Sequence, residues 1–142
     1  MAVLHAALET DMPTGDVDYE PQPWTVDELV AREEAMLARG LRMLTAAARD
    51  PSGRVVAYTE LLVPGHGRNE AIQNDTLVHR AHRGHRLGVA LKVVNLRRLR
   101  ELYPEVPVVH TWSADDNAPM LAVNEAVGFR QVEWEFEYQV VT

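Results

Sequence analysis

The 142-residue sequence contains no cysteine, which removes disulfides, thiolate nucleophiles and zinc–thiolate sites together. It has no long apolar run either. Residues 46–48 and 106–109 are among its longest, far short of the ~18–20 residues that a membrane span needs. The amino terminus lacks a basic segment followed by an apolar stretch, because Glu9 and Asp11 arrive early, so no secretory leader is expected. Internal repeats and low-complexity tracts are absent. What remains is 46% hydrophobic with 8 Gly and 8 Pro. At roughly 150 residues per domain this is one domain, residues 1–142, able to bury about two-thirds of its unfolded surface. A soluble, cytoplasmic, single-domain protein with no membrane partner is the expectation.

Charge is absent in one sign where it is dense in the other. The formal net charge is −7. Residues 1–34 hold nine acids (Glu9, Asp11, Asp16, Asp18, Glu20, Asp27, Glu28, Glu33, Glu34) against Arg32 alone. Residues 76–100 hold seven bases (Arg80, Arg83, Arg86, Lys92, Arg97, Arg98, Arg100) and no acid. A basic patch in an acidic chain suits an anionic ligand; a solvated helix face is the plainer alternative.

Periodicity organises the chain. Residues 3–9 read as a short helix and residues 12–23 as a Pro-rich acidic loop, so residues 1–24 form an acidic lead-in to a core at 25–142. Thr25 with Glu28 is a capping box, with Trp24 and Leu29 as its staple. The helix it opens should turn Leu29, Val30, Met36 and Leu37 inward and end at Gly40. Residues 41–48 and 54–63 read as strands joined by the turn Asp50-Pro51-Ser52-Gly53. Alternation places Val56, Tyr58, Glu60 and Leu62 on one face of the second. A loop at 64–67, a strand at 71–78 and a helix at about 85–102 follow, the helix burying Leu87, Leu91, Val94 and Leu102. A strand at 106–112, a helix at 117–127 closed by Gly128, and a strand at 130–141 complete the pattern. In that last strand Val132, Trp134, Phe136, Tyr138 and Val140 face inward. Trp112, Trp134, Phe129 and Phe136 read as core. The order is that of an α/β sheet with helices on its faces.

Chemistry concentrates between Asp75 and Lys92. A strand runs into a loop containing Arg83 and Gly84, then into a helix whose first turn holds Gly88. Free amides at a helix start, the helix dipole and adjacent Arg side chains make a cradle for a diphosphate. His79, His82 and His85 recur in steps of three, which do not keep three imidazoles on one helical face. Arg80, Arg83 and Arg86 would repel a cation there, so no metal is expected. The Arg-rich helix could lie along nucleic-acid phosphates, but the acidic remainder and the lack of interleaved aromatics argue against it.

Two motifs carry a family resemblance. Arg83-Gly84-His85-Arg86-Leu87-Gly88 resembles the acetyl-CoA loop of the GNAT superfamily of N-acetyltransferases, Gln/Arg-x-x-Gly-x-Gly/Ala, with Arg86 standing where the family has its first glycine. Asn117-Ala-Pro-Met120-Leu-Ala-Val-Asn124-Glu-Ala-Val-Gly128-Phe129 resembles the family signature Asn-x-x-Ala-x-x-Leu-Tyr-x-x-x-Gly-Phe. Together with the strand–helix order they cover about residues 42–138, and the whole is similar to the carboxy-terminal domain of tandem actinobacterial GNAT proteins. The resemblance implies a mixed, mostly antiparallel sheet with one splayed parallel strand pair, helices on both faces, and no counterpart of the family's first strand.

It also implies roles. Main-chain groups of Leu77 and Val78 would pair with the pantetheine arm of acetyl-CoA, and an amide there would polarise the thioester carbonyl. The amides of Arg83, Gly84, His85, Arg86, Leu87, Gly88 and Val89 would hold the diphosphate, and Asn117 would bond the pantetheine. Asn124 occupies the slot of the family's tyrosine acid; it can hydrogen-bond sulfur but does not donate a proton as a phenol does. The attacking amine needs a base: Glu60 first, on a face where desolvation would raise its pKa, with Glu70 and Asp75 as other candidates. Asp75 is also placed to pair with Arg83. The implied function is acetyl transfer to a primary amine of a small or peptide acceptor, with a cationic acceptor favoured by the acidic segment at 9–34. A degenerate acyl-CoA-binding sensor is the alternative. An exposed sheet edge leads to the expectation of a homodimer.

Overall fold

Thr25 opens the first described helix by a reciprocal cap. Its hydroxyl accepts from the Glu28 amide (3.2 Å), and the Glu28 carboxylate accepts from the Thr25 amide (2.7 Å). The structure, a computed structural model, describes residues 25–65 and 70–135. The expected helix at 3–9, the loop at 12–23 and Trp24 lie outside the described residues. Helix α1 spans Val26–Ala38 and ends at Gly40, whose φ of 75° suits glycine. Its inward stripe is Leu29–Arg32–Met36, steps of three and four along one face. Val30 and Leu37, expected inside, fall off that stripe and are exposed.

Strands β1 (Leu41–Arg49) and β2 (Val55–Pro64) form the expected antiparallel hairpin, in register from Leu41 opposite Pro64 to Ala48 opposite Ala57. Asp50 shapes the turn: Oδ1 accepts from the Ser52 and Arg54 amides, and Oδ2 from the Arg54 guanidinium. Strand β3 (Glu70–Val78) pairs antiparallel with β2, and β4 (Val108–His110) pairs parallel with β3. The sheet order is β1-β2-β3-β4, mixed and mostly antiparallel. Helix α2 (Leu87–Leu102) follows β3, and α3 (Ala118–Ala126) follows β4.

β2 is buried on both faces because helices cover both. Leu61 and Val63 pack with Ala71 and with Leu99 of α2, whereas Glu60, pointing the opposite way, meets Arg32 of α1. The buried stripe of α2 is Gly88, Leu91, Lys92, Asn95 and Leu99. Leu91 was expected there; Val94 and Leu102 were too, but they lie on the exposed side. Lys92, listed with the basic patch, is 1% exposed.

Two strand expectations are corrected. The strand at 106–112 contracts to three residues, and Trp112 beyond it is 54% exposed, stacked on His110 rather than in the core. Residues 129–135 carry no strand, and Val132 and Trp134 are exposed; residues 136–142, with Phe136, Tyr138 and Val140, lie outside the described residues. Alternation alone supplies no neighbouring edge to pair with. No described helix is long and apolar enough to cross a membrane.

Candidate functional site

Strands β3 and β4 part company early. Their parallel pairing runs only from Glu70 opposite Val108 to Ile72 opposite His110. One more contact, Thr111 Oγ1 to the Gln73 carbonyl at 3.4 Å, marks the point of divergence. Beyond it β3 continues to Val78 along β2 alone, so one edge of β3 opens into a gap. Alternation decides which main-chain groups face it. His79 donates its amide to Val56, and Tyr58 opposes Leu77. The hydrogen-bonded positions of β3 are therefore 77 and 79, while the amides and carbonyls of Thr76 and Val78 turn to the gap. Leu77 turns its main-chain groups toward Tyr58, and the Val78 carbonyl accepts from Arg83 Nε at 3.0 Å.

A β-bulge lies at the same place. Thr59 opposes Thr76 but Leu61 opposes Gln73, so β3 carries one extra residue opposite Glu60. Asn74 and Asp75 consequently point to one face, toward Glu60 and Arg32. Glu60 Oε2 accepts from Asn74 Nδ2 (3.3 Å) and from Arg32 Nη1 and Nη2 (3.4 and 3.3 Å). Asp75 Oδ2 lies 3.6 Å from Arg32 Nη2. Glu60 is 2% exposed, yet it sits in a polar nest and not the apolar pocket expected for it. A cation at Asp75 is Arg32, from α1. Fully buried Tyr58 borders this group, and burial, then the Asp75 and Glu60 carboxylates, push its hydroxyl well above the usual phenol range. Glu70 lies apart, 3.7 Å from His110 Nε2.

At the far end of the gap the chain turns through a short 3-10 segment, Arg80–His82, into α2. Gly84 has φ 80°. Arg86, the N-cap of α2, has φ 56° and offers no side-chain cap, so a non-glycine residue adopts the left-handed conformation at the family's glycine position. Among the described residues no backbone carbonyl accepts from the amides of residues 84–89. Leu87, Gly88 and Val89 lack partners because they begin a helix; His85 is held by its Nδ1 to the Arg83 carbonyl (2.9 Å). A groove of about 270 Å³ runs beside this loop, lined by Val56, His82, His85 and Leu87 and by the β1–β2 turn. Gly88 is buried, and a Cβ there would point at Val123 (3.6 Å) and Thr76 (3.9 Å), into protein.

Asn117 caps α3, its Oδ1 accepting from the Met120 amide at 3.3 Å. Asn124 is buried, and its Oδ1 accepts from Lys92 Nζ at 2.7 Å. Two buried polar atoms have no partner among the described residues: Gln73 Oε1 and Ser113 Oγ. Gln73 lies on β3, and Ser113 follows β4. Buried polar atoms are normally satisfied, so a polar, elongated ligand between the diverging strands fits them, and the unpaired amides beyond suit an anionic end to that ligand.

The fold thus sets the main-chain groups of Thr76 and Val78 on the open edge of β3 and the unpaired amides of residues 84–89 in the loop that follows it, puts Glu60 and Asp75 on the neighbouring face, and buries Asn124 against Lys92. Sequence reasoning missed Thr76, Gln73, Ser113, Arg32 and Lys92. Arg32 had a signal, as the lone base among nine acids. Lys92 had one too: it is the single lysine of the chain.

No protein-family model and no curated protein matches the sequence, whereas solved structures do. The chain is 39% identical to a tandem GNAT protein from the clavulanic acid biosynthesis pathway, with a TM-score of 0.67 over 72% of this chain and 32% of that one. It is 22% identical to an acetyltransferase of Trypanosoma brucei, TM-score 0.69, covering 98% of this chain and 92% of that one. With glucosamine-6-phosphate N-acetyltransferase from Arabidopsis thaliana it shares 14% identity and a TM-score of 0.64, over 94% and 87% of the two chains. The chain has the GNAT fold, and it spans about a third of the length of the tandem protein.

Proposed function

We propose that this chain is an acetyl-CoA-dependent N-acyltransferase that transfers an acetyl group to a primary amine by direct attack. The observation that carries the reading is the early end of β3–β4 pairing at Ile72 and His110, with one buried unsatisfied polar atom in β3 and another just after β4, and the unpaired start of α2 beyond. In this reading the amides of residues 84–89, with Arg83 and Arg86, hold the diphosphate. The main-chain groups of Thr76 and Val78, Gln73 Oε1, Ser113 Oγ and the side-chain NH2 of Asn117 satisfy the pantetheine arm. The bound thioester supplies the activated acetyl group. An amide of β3 facing the gap stabilises negative charge on its carbonyl oxygen.

Glu60, with Asp75, takes the proton that the attacking amine must lose, directly or through water. Arg32 holds both carboxylates on one side of the site. The acids concentrated in residues 9–34 favour a cationic acceptor. In the described sheet β1 is an edge strand, consistent with a second copy of the chain pairing there.

Two measurements test this. Calorimetry should show 1:1 binding of acetyl-CoA, and thiol release over a panel of primary amines should show turnover with at least one. Binding without turnover on any amine would favour the sensor reading, for which the asparagine at position 124 is the specific argument. No binding would overturn both. Light scattering tests the dimer: a monomer at all concentrations removes it.

A further inference from the structure

Lys92 is the only lysine in the sequence and one of the most deeply buried side chains of the fold, 1% exposed. Asn124 on α3 accepts from its Nζ at 2.7 Å, and the ring of Phe129 lies 5.5 Å away. Its neighbours along the buried stripe of α2 are Gly88, Leu91 and Asn95, none of them charged. Among the described residues no carboxylate lies within ion-pair distance of it, and the two other N–H bonds of the ammonium have no acceptor. Interior cations are ordinarily paired, because desolvation without a counter-ion is costly. Here an ammonium is kept in the interior with one amide oxygen and one aromatic face. Such a group is arranged for a negative charge that arrives only transiently.

Its position says where that charge appears. Gly88 lies one helical turn before Lys92 on the same face of α2, and a Cβ on it would touch Val123 and Thr76. Val123 adjoins Asn124, and Thr76 is a strand residue whose main-chain groups face the gap. The Lys92–Asn124 pair therefore sits where α2, α3 and the open edge of β3 converge. Asn124 stands in the slot of the family's tyrosine, and an asparagine is both too short to replace a phenol and unable to supply its proton. Lys92 Nζ lies 2.7 Å from its oxygen, adding an acidic proton to that slot.

Building on the acyltransferase reading, we propose that Lys92 is the general acid of this site, aimed by Asn124 at the sulfur of the leaving thiolate. In the step, the amine nitrogen forms the new C–N bond and gives up one proton to Glu60 or water. The acyl C–S bond breaks with its electron pair on sulfur. Lys92 Nζ–H passes its proton to that sulfur, leaving a thiol and a neutral amine, and Lys92 regains a proton from water. No further reactant is needed. Burial supports the role, since it lowers the Lys92 ionisation to about 8, in the range of a thiol, where proton transfer to the departing group is nearly balanced. Asn124 is then a positioning residue.

The single lysine makes the test direct. Protein grown with 13Cε,15Nζ-lysine gives one side-chain signal, which can be titrated free, with CoA and with desulfo-CoA. We expect a midpoint near 8 in the free protein, raised by about one pH step by CoA, through pairing with its thiolate, and left unmoved by desulfo-CoA. In kinetics, Lys92→Met should lower kcat at least about tenfold with the KM for acetyl-CoA unchanged, and should lose the decline of kcat above pH about 8. If both ligands bind by calorimetry and give the same lysine titration, or if Lys92→Met keeps wild-type kcat, the assignment of Lys92 fails while the acyltransferase reading stands. If neither ligand binds, both fall.

Discussion

Arg32 and Glu60 are 28 residues apart in sequence and meet at 3.3 Å, linking the first helix to the middle of the central strand. A second acid, Asp75, reaches the same guanidinium at 3.6 Å. The bulge in β3 creates this arrangement by turning Asn74 and Asp75 to one face.

Removing Arg32 takes from buried Glu60 the guanidinium it meets at 3.3 Å. Arg32→Met should cost about 3 kcal/mol in urea unfolding, and the double variant Arg32→Met/Glu60→Gln should recover part of the loss because the buried carboxylate is gone too. Glu60→Gln alone should abolish most turnover while keeping acetyl-CoA affinity; full activity in it would remove Glu60 as the base.

Lys92 should show the opposite pattern, a gain in stability with a loss of function. Its folded ionisation, about 8, lies below its usual 10.5. Below pH 8 the charged form penalises the fold. Between about 8 and 10.5 the unfolded chain binds more protons than the folded one, so stability rises with pH; above that the penalty is gone. Lys92→Met should therefore be more stable than the parent at pH 7, by on the order of 2 kcal/mol. The gap should close by about pH 10.5, as read by chemical unfolding at each pH.

Two glycines should respond oppositely to alanine. A Cβ on Gly65 would lie 2.5 Å from the Gly40 carbonyl oxygen, which already accepts from the Gly65 amide at 2.7 Å. Gly65→Ala should lose about 2 kcal/mol by forcing those backbones apart. Gly88→Ala places its methyl in ordinary contact with Val123, so it should gain about 0.5–1 kcal/mol from helix propensity and bind acetyl-CoA as before.

Arg86 holds a left-handed conformation that glycine adopts without strain. Arg86→Gly should raise stability by about 1 kcal/mol, and it should weaken acetyl-CoA binding about five- to tenfold through loss of a charged contact. Unchanged affinity would show that only the backbone of this residue serves the diphosphate.

The Asp50 carboxylate is held down to about 2, chiefly by the Ser52 side-chain hydroxyl. Because its folded ionisation lies below the unfolded value near 3.9, its contribution is full above pH 4 and fades as pH falls toward 2. Asp50→Asn should therefore lower the melting temperature at pH 7 and shrink the further drop between pH 4 and 2.

Local rules made much of this fold readable. The Thr25–Glu28 cap, the Asp50 turn and the stop at Gly128 depend on residues a few positions apart, and each lies where its chemistry requires. The site was legible to the extent that it is local too: the loop before α2 announces itself by Arg83, Gly84 and Gly88. What escaped depends on tertiary contact. Gln73-Asn74-Asp75-Thr76 reads as an ordinary polar stretch until pairing with β2 reveals the extra residue. Lys92 looks like one more outward base until α3, 32 positions on, closes over it. Val132 and Trp134 alternate as an inward strand face would, yet they are exposed.

The burial of Lys92 has a consequence for the chemistry proposed here. That residue is the one lysine of the sequence, and in that chemistry its amine lies beside the leaving sulfur and not on the surface, so acetyl-lysine found on this polypeptide would mark a thioester that had reacted with the interior beside Asn124.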